Sequence, residues 1–429
     1  MTERLLQFIW QFQYFNKSQL LLSSGESFQI LHPGTLNTNQ GPDFLAARIR
    51  IGDTTIVGPV ELHIKTSHWY RHEHQYDPNY DKVILHVVWE EDLDSRASPI
   101  PVLALQERVS KLLLQQYETW MNNQWFIACG EQIAEVNPLT WLSWNERLLV
   151  ERLQRKSGWV MDCLRQNNQH WDETCWWLMA RNFGMKVNAD VFELVARSIP
   201  LTLLGKLRDK PDELEGLLAG QAGLLEKDFT DAWPRQLKYG YQFQQKAYHL
   251  QQVPQASAFL RMRPASFPTL RLSQLAMLIH QSGHLFSKYK ELESIKDVKT
   301  LLDVQAAAYW ELHYTFDHLS PARPKHLGES MIRNVIINTI VPMVFAYGYL
   351  RKEQPFKDKA LQWLNELQAE ENQVTRSFRQ CGVNATNAFE SQALLELKAH
   401  YCDQKRCLDC AVGNVLLKKN MTRMGTATK

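Results

Sequence analysis

The stretch GPVELHIKTSHWYRHEHQYD, residues 58–77, passes from an apolar, strand-like segment into a polar segment that is rich in histidine. Side chains alternate between the two faces of a strand, so Glu61, His63 and Lys65 are expected on one face and the apolar residues between them on the other. His72 and His74 follow within a few residues. The pattern predicts a strand with one face packed in a core and one face that carries a candidate site.

Strand-like segments continue on both sides of this stretch. Before it, SFQILH, LAARIRIG with the turn GDT, and TTIVGPVELHIKTS predict an antiparallel meander. After it, the near-continuous apolar run KVILHVVWEED predicts a strand covered on both faces, and IPVLALQ predicts one more strand. Residues 3–15 predict a short aromatic helix with Thr2 as its cap.

Beyond about Ser110 the apolar residues recur at helical spacing, as in LTWLSWNERLLVERLQRKSGWVMDCL. The sequence therefore predicts an α+β (α/β) protein. A small N-terminal mixed sheet with flanking helices is expected in residues 1–120 and a large all-α domain in residues 121–429, with the boundary between about 105 and about 135. In the helical part, GLLAGQAGLL has small residues at the spacing of helix crossings, and it lacks the GK[ST] ending of a phosphate loop. That segment predicts packing.

The composition limits the partners. The 429 residues are 45% hydrophobic and carry a formal net charge of +2, which gives no general attraction to nucleic acid or to membranes. Nucleic acid is a possible partner and would have to be held by a local patch, whereas the composition leaves protein partners unknown. Because no run approaches the roughly 18 apolar residues of a membrane span and the N-terminus lacks the layout of a secretion signal, we expect no membrane association and a cytoplasmic location.

Asp43 extends the candidate site. It lies in GPDF, at the start of the strand before VELHIK, and is expected to reach the same face as Glu61. Carboxylates on neighbouring strands could hold Mg²⁺ or Mn²⁺ for phosphodiester cleavage, with a lysine that stabilises the transition state. The predicted metal ligands are Asp43, Glu61 and His63, and the predicted catalytic residues are Asp43, Glu61, His63, Lys65, His72 and His74.

The order GPDF, VELHIK, helical crossover and buried strand resembles the PD-(D/E)XK nuclease core. The resemblance implies a metal-dependent nuclease in which Asp43 and an acid near the start of ELHIK bind the metal and Lys65 is the motif lysine. Where that superfamily usually has its second acid, two positions before the lysine, this chain has His63, and Glu61 lies one pleat earlier. The very-short-patch repair endonucleases, in which an aspartate works with histidines, are similar in the order His63, Trp69, His72 and His74.

A second resemblance covers nearly the whole chain. The order of GPDF, VELH, SHWYRHEH, YDKVILHVV, FGMKVN, GQAGLL, RMRPASFPTLRLSQLA and YCDQKRCLDC resembles the bacterial family called domain of unknown function 2851. This resemblance implies no activity, so the function has to be argued from the residues.

Three alternatives stay open for the histidine-rich segment. The polar face of VELHIK could be the solvated face of a sheet, with His86 of VILHVV as a hydrogen-bonded core histidine. The segment could instead belong to a catalytically inactive nuclease-like module whose helical part binds a partner or nucleic acid. A zinc hydrolase is the third alternative, with His63, His72 and His74 as ligands and Glu61 or Asp77 beside them.

The sequence HYCDQKRCLDC, near the C-terminus, predicts a second metal site. Cys402, Cys407 and Cys410 follow a C-x4-C-x2-C pattern, and Cys381 or His400 could supply a fourth ligand. Some nucleases of the PD-(D/E)XK superfamily, including CRISPR-associated ones, carry an iron–sulfur cluster, so that resemblance implies a [4Fe–4S] cluster. Zinc and ordinary packing of reduced cysteines are the alternatives.

A basic segment in the helical part is a candidate for nucleic-acid binding. LRMRPASFPTLRL contains Arg261, Arg263 and Arg271 with Phe267 among them, which suits phosphate contacts and base stacking. A surface loop with solvated arginines is the alternative.

Overall fold

The quoted stretch begins in a 12-residue strand of a six-stranded mixed sheet. This is the arrangement in a computed structural model of the protein, which describes residues 1–95 and 98–422. The strands are β1 Phe28–His32, β2 Thr35–Leu36, β3 Phe44–Ile51, β4 Thr54–Lys65, β5 Leu85–Glu90 and β6 Val102–Ala104. Their order in the sheet is β1-β3-β4-β5-β6, and β2 also pairs with β3.

The sheet combines both strand directions. β1, β3 and β4 form the predicted antiparallel meander, whereas β4, β5 and β6 are parallel. A parallel pair needs a crossover connection, which residues 66–84 supply between β4 and β5. The register pairs Glu61 with His86, so these two residues lie side by side at the centre of the sheet.

Both faces of β4 are covered near its C-terminal end. Val60 and Leu62 are buried as predicted, and Glu61 and His63 on the opposite face are also buried, at 6% and 2% exposure. The polar face is therefore not a solvated face, and its groups must find partners inside the protein. The first four residues of β5 are buried on both faces, as their apolar sequence predicts.

Two short helical regions cover this face of the sheet. Helix α1, Glu3–Gln11, begins at Thr2, whose hydroxyl accepts a hydrogen bond from the Leu5 amide (3.2 Å), and it contacts β4. The crossover contains α2, His68–Arg71, followed by 3₁₀ turns at His74–Tyr76 and Pro78–Tyr80. The sequence predicted the crossover as a polar connection, and its short turns place several imidazoles over β4.

The rest of the described chain is mainly helical, which confirms the predicted α+β class. Its helices are α3 Lys111–Asn122, α4 Pro138–Gln166, α5 Trp171–Phe183, α6 Met185–Ser198, α7 Leu201–Leu207, α8 Pro211–Gln221, α9 Ala232–Tyr248, α10 Pro268–Gln281, α11 Leu285–Glu291, α12 Ile295–Leu302, α13 Glu329–Val335, α14 Val341–Arg351, α15 Gln354–Glu366, α16 Gln373–Gln380, α17 Ala388–Leu397 and α18 Ala411–Thr422. Short strands β7 His313–Thr315 and β8 His318–Leu319 form a hairpin, and π-helical turns occur at Ile336–Ile340 and Lys398–Cys402.

The described chain divides into two compact units. Unit 1 contains the sheet and is built from Met1–Trp144, Arg376–Asn384 and the residues from Leu397 onward. Unit 2 contains Asn145–Thr375 and Ala385–Glu396. The predicted domain boundary near residue 120 stays a prediction. Unit 1 is built from three chain segments that are far apart in the sequence.

One helical stretch, Glu329–Arg351, is long and apolar enough to cross a membrane by length and composition. Within it, 78% of the apolar window is buried inside the protein. Such burial is expected of a helix in the core of a folded domain. The cytoplasmic location stays a prediction.

Candidate metal centre

Asp43 and Glu61 form a hydrogen-bonded pair across β3 and β4. The Asp43 amide donates to Glu61 Oε2 (3.0 Å), and the Leu62 amide donates to Asp43 Oδ2 (3.0 Å). The side chain of Gln7, on α1, donates to Asp43 Oδ1 (2.7 Å). Both carboxylate oxygens of Asp43 thus accept hydrogen bonds, whereas Glu61 accepts the Asp43 amide through Oε2 and not through Oε1.

The environment of the two carboxyl groups disfavours two negative charges. Burial raises the pKa of Asp43 to about 6, although its hydrogen bonds from Leu62 and Gln7 act in the opposite direction. Burial also raises the pKa of Glu61 to about 8, and the negative charge of Asp43 adds to that effect. A cation placed beside them would relieve this penalty.

Two imidazoles lie near the second oxygen of Glu61, and a third lies beside one of them. Glu61 Oε1 lies 3.6 Å from His63 Nε2 and 3.7 Å from His74 Nε2, and His63 Nε2 lies 3.1 Å from His72 Nδ1. Within residues 1–95 and 98–422, His63, His72 and His74 are the one group of three metal-capable side chains whose donor atoms all lie within 4.8 Å of one another. Metal–nitrogen bonds of about 2.0–2.1 Å in a tetrahedral site place neighbouring ligand atoms roughly 3.3 Å apart, close to these distances.

His74 carries a buried nitrogen without a hydrogen bond. Its Nε2 is buried and has no hydrogen-bond partner in the described chain, and the 3.7 Å to Glu61 is too long for one. The ring is held between aromatic neighbours: the Tyr80 ring stacks on it with centroids 3.8 Å apart, and the Trp69 centroid is 5.3 Å away. A bound cation would satisfy this orphaned nitrogen, so the residues present fit a metal ion.

His86 supports His63 from the neighbouring strand. Its Nε2 lies 2.9 Å from His63 Nδ1, a position that follows from the parallel register of β4 and β5. Burial, together with the nearby imidazoles, lowers the pKa of His63 to about 2 and that of His86 to about 4. Burial also lowers the pKa of His74. At neutral pH these rings are therefore uncharged, and uncharged imidazole is the form that binds a metal.

The predicted lysine lies at the edge of this arrangement. The Lys65 ammonium group is half-exposed and lies 3.9 Å from Glu90 Oε2. Arg71, exposed on α2, places Nη2 3.4 Å from both His68 Nδ1 and His72 Nε2. Arg71 is not among the site residues predicted from the sequence, although its position in the histidine-rich segment SHWYRHEH could have indicated it.

The two other predicted sites differ in how the structure arranges them. Cys402, Cys407 and Cys410 lie close enough in unit 1 for a negative charge on one sulfur to raise the pKa of another. The three arginines do not share one surface. Arg261 and Arg263 are exposed, whereas Arg271 is buried at 7% exposure and donates to Gln274 Oε1 (2.9 Å). Arg271 follows the helix start at Pro268, and its helical position turns it into the core.

Together, the fold and this arrangement define an α+β protein with a buried carboxylate–imidazole site on a mixed sheet. The chain belongs to the family described as "Protein of unknown function (DUF2851)", whose model matches residues 3–373. This confirms the family resemblance seen in the sequence. Comparison with curated proteins and with solved structures finds no match, so the resemblance to PD-(D/E)XK nucleases gains no support there.

Proposed function

We propose that the protein is a metal-dependent nuclease that hydrolyses phosphodiesters at the centre formed by His63, His72 and His74. The observation that carries the proposal is the buried, unpartnered Nε2 of His74, which faces a carboxylate oxygen and a second imidazole at the spacing of metal ligands. Three imidazoles with an open position for water are the ligand set of many hydrolytic metal centres.

The ligand set bears on the identity of the metal. Imidazole nitrogen suits zinc and other transition metals, whereas Mg²⁺ prefers oxygen ligands and retains its waters. Of the two cations expected for the nuclease, Mn²⁺ therefore fits better than Mg²⁺. Zinc fits the same three nitrogens, and this supports a zinc hydrolase as the second candidate.

The rim of the centre favours an anionic substrate. Arg71 contacts the outer nitrogen of His72, and Lys65 lies half-exposed on the same strand as His63. Both cations can approach a phosphate without leaving solvent, and an arginine can bind two phosphate oxygens at once. The pair supports phosphodiesters as the substrate class.

Glu61 is the residue placed to accept a proton. Its Oε2 accepts a hydrogen bond from the Asp43 amide, which fixes the carboxyl group, and its Oε1 lies near His63 and His74. A bound divalent cation would supply an activated water and would offset charge on the phosphate. The water oxygen bonds to phosphorus as Glu61 takes its proton, and the ester oxygen that departs takes a proton from solvent.

Cleavage assays on the full chain test this proposal. Purified protein is incubated with single- and double-stranded DNA and RNA in Mg²⁺, Mn²⁺ or Zn²⁺, with and without a chelator. We expect cleavage that a chelator abolishes and added metal restores. His74→Ala should lower kcat/KM by at least about 100-fold, since even supporting residues of a metal site are worth about 10–100-fold. His318→Ala, an exposed histidine on β8 in unit 2, is the matched control and should leave cleavage unchanged.

The same assay separates the alternatives. Metal-loaded, folded protein that cleaves none of these nucleic acids would contradict the proposal and support the inactive module. Hydrolysis of a carboxylic ester or amide with zinc, but not of phosphodiesters, would support the zinc hydrolase.

A further inference from the structure

Five of the seven cysteines belong to unit 1, although they are far apart in the sequence. The Cys129 sulfur lies close enough to the sulfurs of Cys410, Cys407 and Cys381 for a negative charge on any of them to raise its pKa. In the same way, a negative charge on the sulfur of Cys410, Cys129 or Cys407 raises the pKa of Cys402. Cys129 thus lies near the three cysteines whose sequence spacing predicts a metal site. Cys381 is among the main influences on the pKa of Cys129 but not on that of Cys402.

Side-chain contacts bring these segments together. Lys405, between Cys402 and Cys407, donates through Nζ to the carbonyl oxygens of Met121 and of Asn123 (3.1 Å to the latter), just before the Cys129 segment. The Phe126 ring packs edge-on against Phe378, with centroids 5.2 Å apart. The position of these cysteines therefore follows from ordinary packing and hydrogen bonds.

The turn around Cys410 is shaped like a thiolate site. A Cβ at Gly413 would overlap the carbonyl group of Cys407, so the CLDC turn folds closely onto the start of α18. The backbone amides of Val412 and Gly413 and the Trp144 side chain act to lower the pKa of the Cys410 thiol, against the larger effect of burial. Donors aimed at a sulfur favour its thiolate form and are the usual supporting contacts of metal-bound cysteine.

We propose that four thiolates of unit 1 hold one metal centre: Cys129, Cys402, Cys407 and Cys410. The ligands come from two of the three chain segments that build the unit, and Cys381, beside them, comes from the third. Each thiol releases its proton as its sulfur binds the metal, and no oxidation or reduction is required. The centre is independent of the proposed nuclease activity.

Burial keeps the four cysteine thiols protonated when no metal is bound. It raises the pKa of Cys407 to about 12 and that of Cys410 to about 11, so the four sulfurs are protonated thiols at neutral pH. Metal binding therefore competes with protons and should weaken as the pH falls.

The spacing of the sulfurs favours an iron–sulfur cluster over zinc. The described part of the chain has no cysteine group of three with all sulfurs within 4.8 Å. Zinc, with Zn–S bonds of about 2.3 Å, would hold neighbouring sulfurs roughly 3.8 Å apart. A cluster of several irons and sulfides spans a wider set of thiolates.

Metal analysis of full-length protein purified without oxygen tests the proposal. We expect either iron with acid-labile sulfide and a brown colour, or colourless protein with one zinc per chain; the second result would keep the centre and contradict the argument from spacing. Cys129→Ser should lower the metal content at least about tenfold, whereas the neighbouring control Cys381→Ser should retain it. Folded wild-type protein with neither metal, or equal metal loss in both variants, would overturn the proposal.

Thiol alkylation of the wild-type chain keeps the test valid if Cys129→Ser fails to fold. Native protein is alkylated before and after metal removal, and the modified residues are mapped by mass spectrometry. Cys129, Cys402, Cys407 and Cys410 should become reactive together only after metal removal. Cys175, fully buried in unit 2, should remain unmodified in both samples. Reactivity unaffected by metal removal would contradict the centre.

Discussion

His63 has two ring nitrogens, and each faces another imidazole. Nδ1 lies 2.9 Å from His86 and Nε2 lies 3.1 Å from His72. A neutral imidazole carries one N–H, so it can donate to one of these neighbours and must accept from the other. If Nδ1–H donates to His86, the Nε2 lone pair faces His72 and Glu61, which is the tautomer a metal ligand needs.

His86 is therefore predicted to orient His63 for metal binding. His86→Phe fills the same buried space but cannot accept the hydrogen bond, so affinity for Mn²⁺ or Zn²⁺ should fall about 10–100-fold. Calorimetric titration of the metal into wild-type and variant protein measures this. A melting temperature recorded beside it shows whether the variant is folded. Folded His86→Phe protein that binds metal as tightly as the wild type would show that the contact is structural only.

Glu215, fully buried in unit 2, should make stability depend on pH. Ser273 Oγ (2.5 Å) and the indoles of Trp310 (2.8 Å) and Trp233 (3.0 Å) donate to its carboxyl group, yet burial outweighs them and raises its pKa. The folded protein then holds this proton at pH values where the unfolded chain has released it. The free energy of unfolding should fall as the pH rises through this range, by about 1.4 kcal/mol per pH unit.

Glu215→Gln removes this contribution while keeping an acceptor oxygen for the indoles. Urea unfolding between pH 4.5 and pH 8 should therefore show a smaller loss of stability for the variant than for the wild type. Parallel pH profiles for the two proteins would contradict the raised pKa.

The sequence predicts much of the candidate metal centre and misses one part for a physical reason. Alternation along VELHIK puts Glu61 and His63 on one face, and the run of histidines that follows is short enough to fold back over them. His86 belongs to an apolar strand, and its role depends on the parallel register of β4 and β5, which no local pattern specifies. Cys129 is missed for a similar reason, because its partners lie more than 270 residues away in the sequence.

At the scale of elements, strands are predicted well where an apolar pattern and a turn coincide. TTIVGPVELHIKTS predicts β4 to within two residues, and KVILHVVWEED contains β5. The sequence predicts a polar connection here and the nuclease resemblance implies a helical crossover; the segment forms the short helix α2 and two 3₁₀ turns. Its short turns are stabilised by local bonds such as Asp77 Oδ1 with the Asn79 amide (2.9 Å), which sequence periodicity does not reveal.

The close crossing of α8 and α9 gives a test at this scale. A Cβ at Gly220 would overlap the Tyr241 ring, as the small-residue pattern GLLAGQAGLL indicates, whereas Gly240 on α9 has open space around it. Gly220→Ala should lower the free energy of unfolding by about 1–3 kcal/mol through overpacking. Gly240→Ala, the matched control, should raise it by about 0.5–1 kcal/mol because alanine favours the helix. Denaturant unfolding of both variants measures the difference, and equal effects would contradict the crossing.

At the scale of the whole molecule, metal binding at the histidine centre should stabilise the protein. Metal that binds the folded state alone adds about 2.7 kcal/mol at a concentration of 100 times Kd. Thermal melting with and without Mn²⁺ or Zn²⁺ should show a higher Tm with metal, reversed by a chelator, and His74→Ala should reduce the shift. A Tm that does not respond to either metal would contradict the centre.

Unit 1 begins at the N-terminus but takes its last segment from residues beyond Leu397. On the ribosome, the sheet strands emerge long before that segment exists. At roughly 5–20 residues per second, the chain between Trp144 and Leu397 takes about 10–50 seconds to translate. Throughout that interval unit 1 lacks its last segment, while unit 2 is being made. Slow synthesis of this region, or shortage of chaperones that shield nascent strands, should therefore reduce the yield of folded protein more than it changes the stability of molecules already folded.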